Sequence, residues 1–118
     1  WCGALVGQIA RTVPVVVIGS SAYHDDHLDL NFQGPNITSL VGAFPLRENL
    51  GLQSAVIAKS EGFVGTYGGM MQLAIRLGKP AAVFYAHLKG TAPAHCMLTE
   101  ALAREQRIPC FIWTPQEA

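Results

Sequence analysis

Two stretches of this chain carry residues whose types and spacing suit them to chemistry. In the first, Tyr23-His24-Asp25-Asp26-His27-Leu28-Asp29, five His and Asp side chains fall within seven residues. Imidazole and carboxylate groups at this density can ligate a divalent metal, which would make His24, Asp26 and His27 the working set of a small metal-dependent hydrolase. A solvated acidic loop whose charges cap neighbouring helix N-termini fits the same residues. The lack of a third ligand at helical or hairpin spacing favours that plainer reading. Between the two stands a role for Asp26 or His27 in orienting a ribose or sugar hydroxyl beside a nucleotide site.

The second stretch, Gly62 to Tyr85, reads GFVGTYGGMMQLAIRLGKPAAVFY. A short apolar run ends at Gly65, the turn Thr66-Tyr67-Gly68-Gly69 follows, and Met70, Leu73, Ala74 and Leu77 recur at i, i+3, i+4 and i+7. The pattern predicts a strand, a tight turn and a helix. Met71 and Ile75 widen the apolar side, so only Gln72, Arg76 and Lys79 remain for water. Gly78 suits a left-handed helix end, Pro80 cannot continue the helix, and Ala81 to Tyr85 form a second buried strand. A right-handed βαβ crossover of this kind places the glycine turn and the helix N-terminus at the carboxyl edge of a parallel sheet. Amides without acceptors and the positive end of the helix dipole favour an anion there, and glycine lets a phosphate approach the backbone. The same glycines would also serve a sharp turn and close helix-sheet packing.

The other elements must hold these stretches in place. Trp1 to Arg11 is weakly helical, Val13 to Ile18 is a β-branched strand with Pro14 near its start, and a long polar loop runs from Gly19 to about Asn36. Asn36 to Val41 reads as a short strand, and a helix follows from about Pro45 to Ser60 through Leu52, Ala55, Val56 and Lys59. After the irregular stretch Ala86 to Ala92, a helix over Pro93 to Arg107 is expected to turn Leu98, Ala101 and Leu102 inward, with Glu100 and Arg104 paired at i, i+4. Pro109 ends it, and Cys110 to Thr114 make a last strand. Strands alternating with helices predict an α/β fold, a Rossmann-like parallel sheet of four to five strands with helices on both faces.

At 118 residues the chain fits one domain, 1–118. Apolar residues make up 50% and charged residues 14%, which leaves little solvated face and fits a buried sheet. Eight basic residues balance eight acidic ones without a Lys/Arg cluster, which argues against nucleic acid or an anionic membrane as the main partner. The longest apolar run is far too short to span a bilayer, and no cationic leader precedes one, so a cytoplasmic location is expected. Cys2, Cys96 and Cys110 lack CxxC spacing and read as free thiols. A start at Trp1, with Ala4 to Arg11 resembling the end of a helix already under way, suggests a piece of a longer polypeptide.

With those residues in view, Gly62 to Tyr85 resembles the donor-binding, C-terminal half of a GT-B fold glycosyltransferase. The heptosyltransferase-like form of that region is Gly-Asn-Asp-Ser-Gly-x-Met-His-Leu-Ala, closing later with Leu-Gly-Lys-Pro. Gly65, Gly69, Met71, Leu73, Ala74, Leu77, Gly78, Lys79 and Pro80 match; Thr66, Tyr67, Gly68 and Gln72 depart, at positions that contact the donor in that family. The likeness extends over roughly Val13 to Phe84 as an ordered series of βα units. It implies a nucleotide-sugar donor as substrate, with no separate cofactor. Gly65, Thr66, Tyr67, Gly68 and Gly69 would surround the diphosphate, and Ser20, Ser21 and Asp26 would lie on the nucleoside or sugar side. It also implies a missing N-terminal acceptor domain carrying the catalytic base, without which no sugar is transferred. A non-catalytic α/β module that pairs with itself through apolar surface is a further alternative, its partner a second copy of the chain.

Other residues invite weaker readings. Glu61 is a hydroxyl-binding carboxylate or simply exposed, and Tyr67 a stacking platform or a packed lid. His87 and Lys89 would lie at the carboxyl edge, where Lys89 can meet a phosphate. His95 and Cys96, adjacent on a helix, point about 100° apart and make a poor nucleophile-base pair.

Overall fold

A computed structural model describes residues 2–19, 30–84 and 93–113. The elements alternate as expected from β2 onward, with no described helix between β1 and β2: α1 (Cys2–Ala10), β1 (Val15–Val17), β2 (Ile37–Ser39), α2 (Leu46–Lys59), β3 (Phe63–Thr66), α3 (Gly69–Arg76), β4 (Ala81–Phe84), α4 (Pro93–Glu105) and β5 (Cys110–Trp113). All the ladders are parallel, so the fold is α/β. Among the described residues they fall into two sheets of fewer strands than the four to five expected. β1 and β2 make a two-stranded sheet, and β3-β4-β5 make a three-stranded one. Alternation of strand and helix dictates parallel pairing, but it does not dictate which non-adjacent strands share a ladder. The chain divides into two compact units, 1–56 and 57–118.

In the first unit, β1 pairs with β2 in the register Val15–Ile37 to Val17–Ser39. Pro14 sits just ahead of β1, where its missing donor breaks no ladder bond. Val13 and Val16 are both more than two-fifths exposed, so the apolar run yields a shorter and more open strand than its composition predicts. Asn36, at a left-handed φ of 63°, donates from Nδ2 to the Ala10 carbonyl at 2.9 Å and ties the end of α1 to the start of β2.

Two buried amides on α2 close this unit. Asn49 Nδ2 donates to the Gly19 carbonyl at 3.0 Å, and Gln53 Nε2, one turn further on, donates to the same oxygen. One acceptor with two lone pairs receives both donors, which fixes the chain just beyond β1. Gln53→Met alone is expected to cost about 1 kcal/mol. Asn49→Leu combined with Gln53→Met is expected to cost more than the two single changes together, because only then does the carbonyl lose both donors. Urea denaturation of the three variants measures the difference.

The second unit is built on β3-α3-β4-α4-β5. Its core is Met71 and Ile75 from α3, Ala81 and Val83 from β4 and Ala103 from α4, with Phe63, Tyr67, Leu102, Ile108, Cys110 and Ile112 packed around it. Both crossover helices therefore lie on one face of this sheet, and Val64 and Phe111, in line across β4 at Ala82, are exposed on the other. On α3 the buried residues are Met71, Ala74 and Ile75, while Leu77 is exposed. The face is turned by about one residue from the one the i, i+3, i+4, i+7 series selects. A helix this apolar offers two overlapping stripes, and the sheet selects between them. On α4 the correction is larger. Leu98 is 71% exposed and Ala101 is exposed, whereas Thr99 and Ala103 are buried.

Helix α3 ends as the sequence predicts. Gly78 takes a φ of 76°, its N–H donates to the Ile75 carbonyl, and Lys79 N–H donates to the Ala74 carbonyl, the paired bonds of a Schellman motif. Arg107 fills the equivalent place after α4 at a φ of 56°, with Ile108 N–H on the Ala103 carbonyl.

Candidate anion-binding turn

The site is built from the end of β3 and the start of α3. β3 is an edge strand, and its ladder with β4 runs from Phe63 N–H on the Pro80 carbonyl at 2.8 Å to Tyr67 N–H on the Phe84 carbonyl at 2.9 Å. Alternation along a parallel ladder turns the intervening Gly65 N–H toward β4 as well. The ladder thus consumes the amides of Gly65 and Tyr67. Beyond it the chain turns at Gly68, the N-cap of α3, whose carbonyl accepts the first helical bond from Gln72 N–H at 3.2 Å. The amides of Gly69, Met70 and Met71 belong to the first turn and have no acceptor within the helix. Gly68 has no side chain to cap them.

The glycines of the turn fall into two kinds. A Cβ on Gly65 would lie 2.9 Å from Phe63 Cζ and 3.1 Å from Cε1, so this glycine makes room for the Phe63 ring. A Cβ on Gly68 or Gly69 would meet nothing within 4 Å, so these two glycines border open space, whereas Met71 is fully buried and its amide is closed off. Gly65→Ala is expected to lower stability by about 1–3 kcal/mol through overpacking, and Phe63→Leu in the same chain to recover most of that loss. Thermal unfolding of the single and double variants tests the assignment.

Tyr67 is turned toward the core. Its hydroxyl lies 3.1 Å from Thr99 Oγ1, and Thr99 Oγ1 donates to the His95 carbonyl at 2.9 Å. The threonine proton is committed to His95, so the tyrosine hydroxyl is the donor to Thr99. Of the two readings of Tyr67, this geometry matches the packed lid. Thr66 is exposed at the strand end beside the turn. Gly65, Thr66, Tyr67, Gly68 and Gly69 are consecutive, and of their amides those of Gly65 and Tyr67 are taken up by the ladder with β4.

Ser20, Ser21, His24, Asp26, His27, His87 and Lys89 lie outside the described residues. Among the described residues no group of three or more His, Cys, Asp and Glu side chains could hold a metal ion. Glu61 is exposed, as is His95, and Cys96 is half-buried on α4. Burial, with a smaller contribution from the Glu100 carboxylate, pushes the half-buried Cys110 thiol, packed against the core of the second unit, above its ordinary value. Sequence reasoning missed Asn49 and Gln53. The available signal was two amides at i, i+4 in a helix whose other inward positions are apolar.

The comparisons add no relative: no family model, curated protein or solved structure matches the chain. No described helix is long and apolar enough to cross a membrane.

Proposed function

We propose that this chain binds a nucleotide-sugar donor through its diphosphate, as the donor-binding half of a GT-B type glycosyltransferase whose acceptor domain lies outside this sequence. The observation that supports the reading is the first turn of α3, where the Gly69 and Met70 amides have no acceptor within the helix and Gly68 and Gly69 border open space. A pyrophosphate there would take hydrogen bonds from the backbone and gain from the positive end of the helix. The same groups would stabilise the charge that builds on the leaving diphosphate as the sugar departs. Thr66 stands at the mouth of the turn.

Calorimetric titration with UDP, GDP and ADP tests the reading. Binding of at least one, with inorganic pyrophosphate competing for the same site, is expected at about millimolar concentration or tighter. Heat from none of the three removes the proposal.

A further inference from the structure

The sheet of the second unit ends on a strand that nothing shields. Among the described residues β5 pairs with β4 on one side only. Ala81 N–H donates to the Pro109 carbonyl at 3.0 Å, so alternation along the parallel ladder also turns the backbone of Phe111 toward β4. The N–H and C=O groups of Cys110 and Ile112 therefore point outward, without a ladder partner among the described residues. Exposed edges in native proteins are usually blunted by a lysine, an inward-pointing charge, a proline or a bulge. β5 reads Cys-Phe-Ile-Trp in unbroken register with β4 and carries none of these.

Three features select a second copy of this chain as the strand that covers the edge. The first is register. Laid antiparallel about a two-fold axis at Phe111, Cys110 of each copy faces Ile112 of the other, and every outward N–H and C=O finds a partner. The second is the side-chain pattern. On the face away from α4, Phe111 meets its own copy as a non-hydrogen-bonded pair, the closer of the two antiparallel spacings, and Trp113 lies opposite Pro109. Phe111 is 60% exposed in the single chain. The third is charge. Leu102 and Ala103 of α4 pack with Val83, Cys110 and Ile112, so this helix lies over β4 and β5, and two strand spacings of about 4.8 Å bring it to about 10 Å from its copy, the ordinary distance between packed helices. Glu100 stands near enough to β5 for its charge to act on the Cys110 thiol, and Arg104 follows one turn later; both are exposed. They form no ion pair among the described residues. Between antiparallel helices Glu100 of each copy comes toward Arg104 of the other, the reciprocity that a surface meeting itself requires.

We propose that this chain forms a two-fold dimer by antiparallel pairing of β5 with β5 of a second copy, which joins two three-stranded sheets into one of six and sets the two α4 helices side by side over the seam. The surface is separate from the α3 turn, and the dimer stands whether or not a diphosphate binds there.

Sedimentation equilibrium tests the dimer. At about 100 µM the 12.6 kDa chain is expected to run at twice its mass. Phe111→Lys sets like charges against each other at the axis and is expected to raise the dissociation constant about tenfold or more, with an unchanged circular dichroism spectrum because the position lies outside the core. Phe111→Cys tests the register: air oxidation is expected to join the copies through a disulfide that mass spectrometry maps to position 111, since this pairing brings the two Cβ atoms within reach. Val64→Cys, exposed on the same face of the sheet but on β3, is expected to form no such link. A chain that stays monomeric at that concentration, a Phe111→Lys variant that dimerises as tightly as the unaltered chain, or a disulfide that forms no more readily at position 111 than at position 64 overturns the proposal.

Discussion

Ile75→Ala is expected to lower the unfolding free energy by about 2–5 kcal/mol, the largest stability effect of any single truncation considered. Ile75 is fully buried between the β4 strand and the α4 side of the core, beside Met71 and Val83, and the close-packed surroundings cannot collapse into the space its side chain leaves. Leu98→Ala removes a side chain of similar size from α4, yet is expected to change stability by less than about 0.5 kcal/mol, because Leu98 is 71% exposed. Urea denaturation followed by circular dichroism measures both. Comparable losses from the two variants would mean that α4 turns Leu98 inward after all, as its sequence spacing suggests.

Gly69→Asp is expected to weaken nucleoside diphosphate binding at least tenfold without loss of stability. A Cβ at this position enters open space, and a carboxylate in the first turn of a helix interacts favourably with the helix dipole, so the melting temperature should hold or rise. A phosphate bound at this turn, as proposed, would meet the opposite situation. A second negative charge at about 4 Å costs roughly 1–4 kcal/mol, depending on how much water remains between the two, and each 1.4 kcal/mol is a factor of about ten in affinity. Opposite signs for stability and affinity separate this outcome from general damage. A variant that binds nucleoside diphosphate as tightly as the unaltered chain would move the site away from α3, whatever the unaltered chain binds.

Much of the architecture was legible from local chemistry. The β-branched run before Gly19, the glycine turn at 65–69, the Gly78 and Pro80 pair and the Pro109 stop each fix a backbone conformation within a few residues, and the elements appear where those signals place them. In the second unit parallel pairing followed from the alternation of strand and helix, since a helical crossover returns the chain in the same direction. The glycine turn at the head of α3 was legible for the same reason, being a property of consecutive residues.

Side-chain assignments depended on contacts between distant residues, and there the tertiary structure decided. Periodicity offers each apolar helix more than one plausible inward face, and only the sheet beneath selects one: Met71, Ala74 and Ile75 on α3, Thr99 and Ala103 on α4. Gly65 and Gly69 are the same residue type four positions apart, yet one accommodates the Phe63 ring and the other opens to solvent. Asn49 and Gln53 find their acceptor at Gly19, thirty or more residues earlier, which no local pattern encodes. Sequence determined which backbone shapes the chain adopts, because those depend on dihedral preferences of neighbouring residues. The fold decided which groups meet and which amides stay open, because hydrogen-bond partners and buried faces are chosen only when remote segments pack.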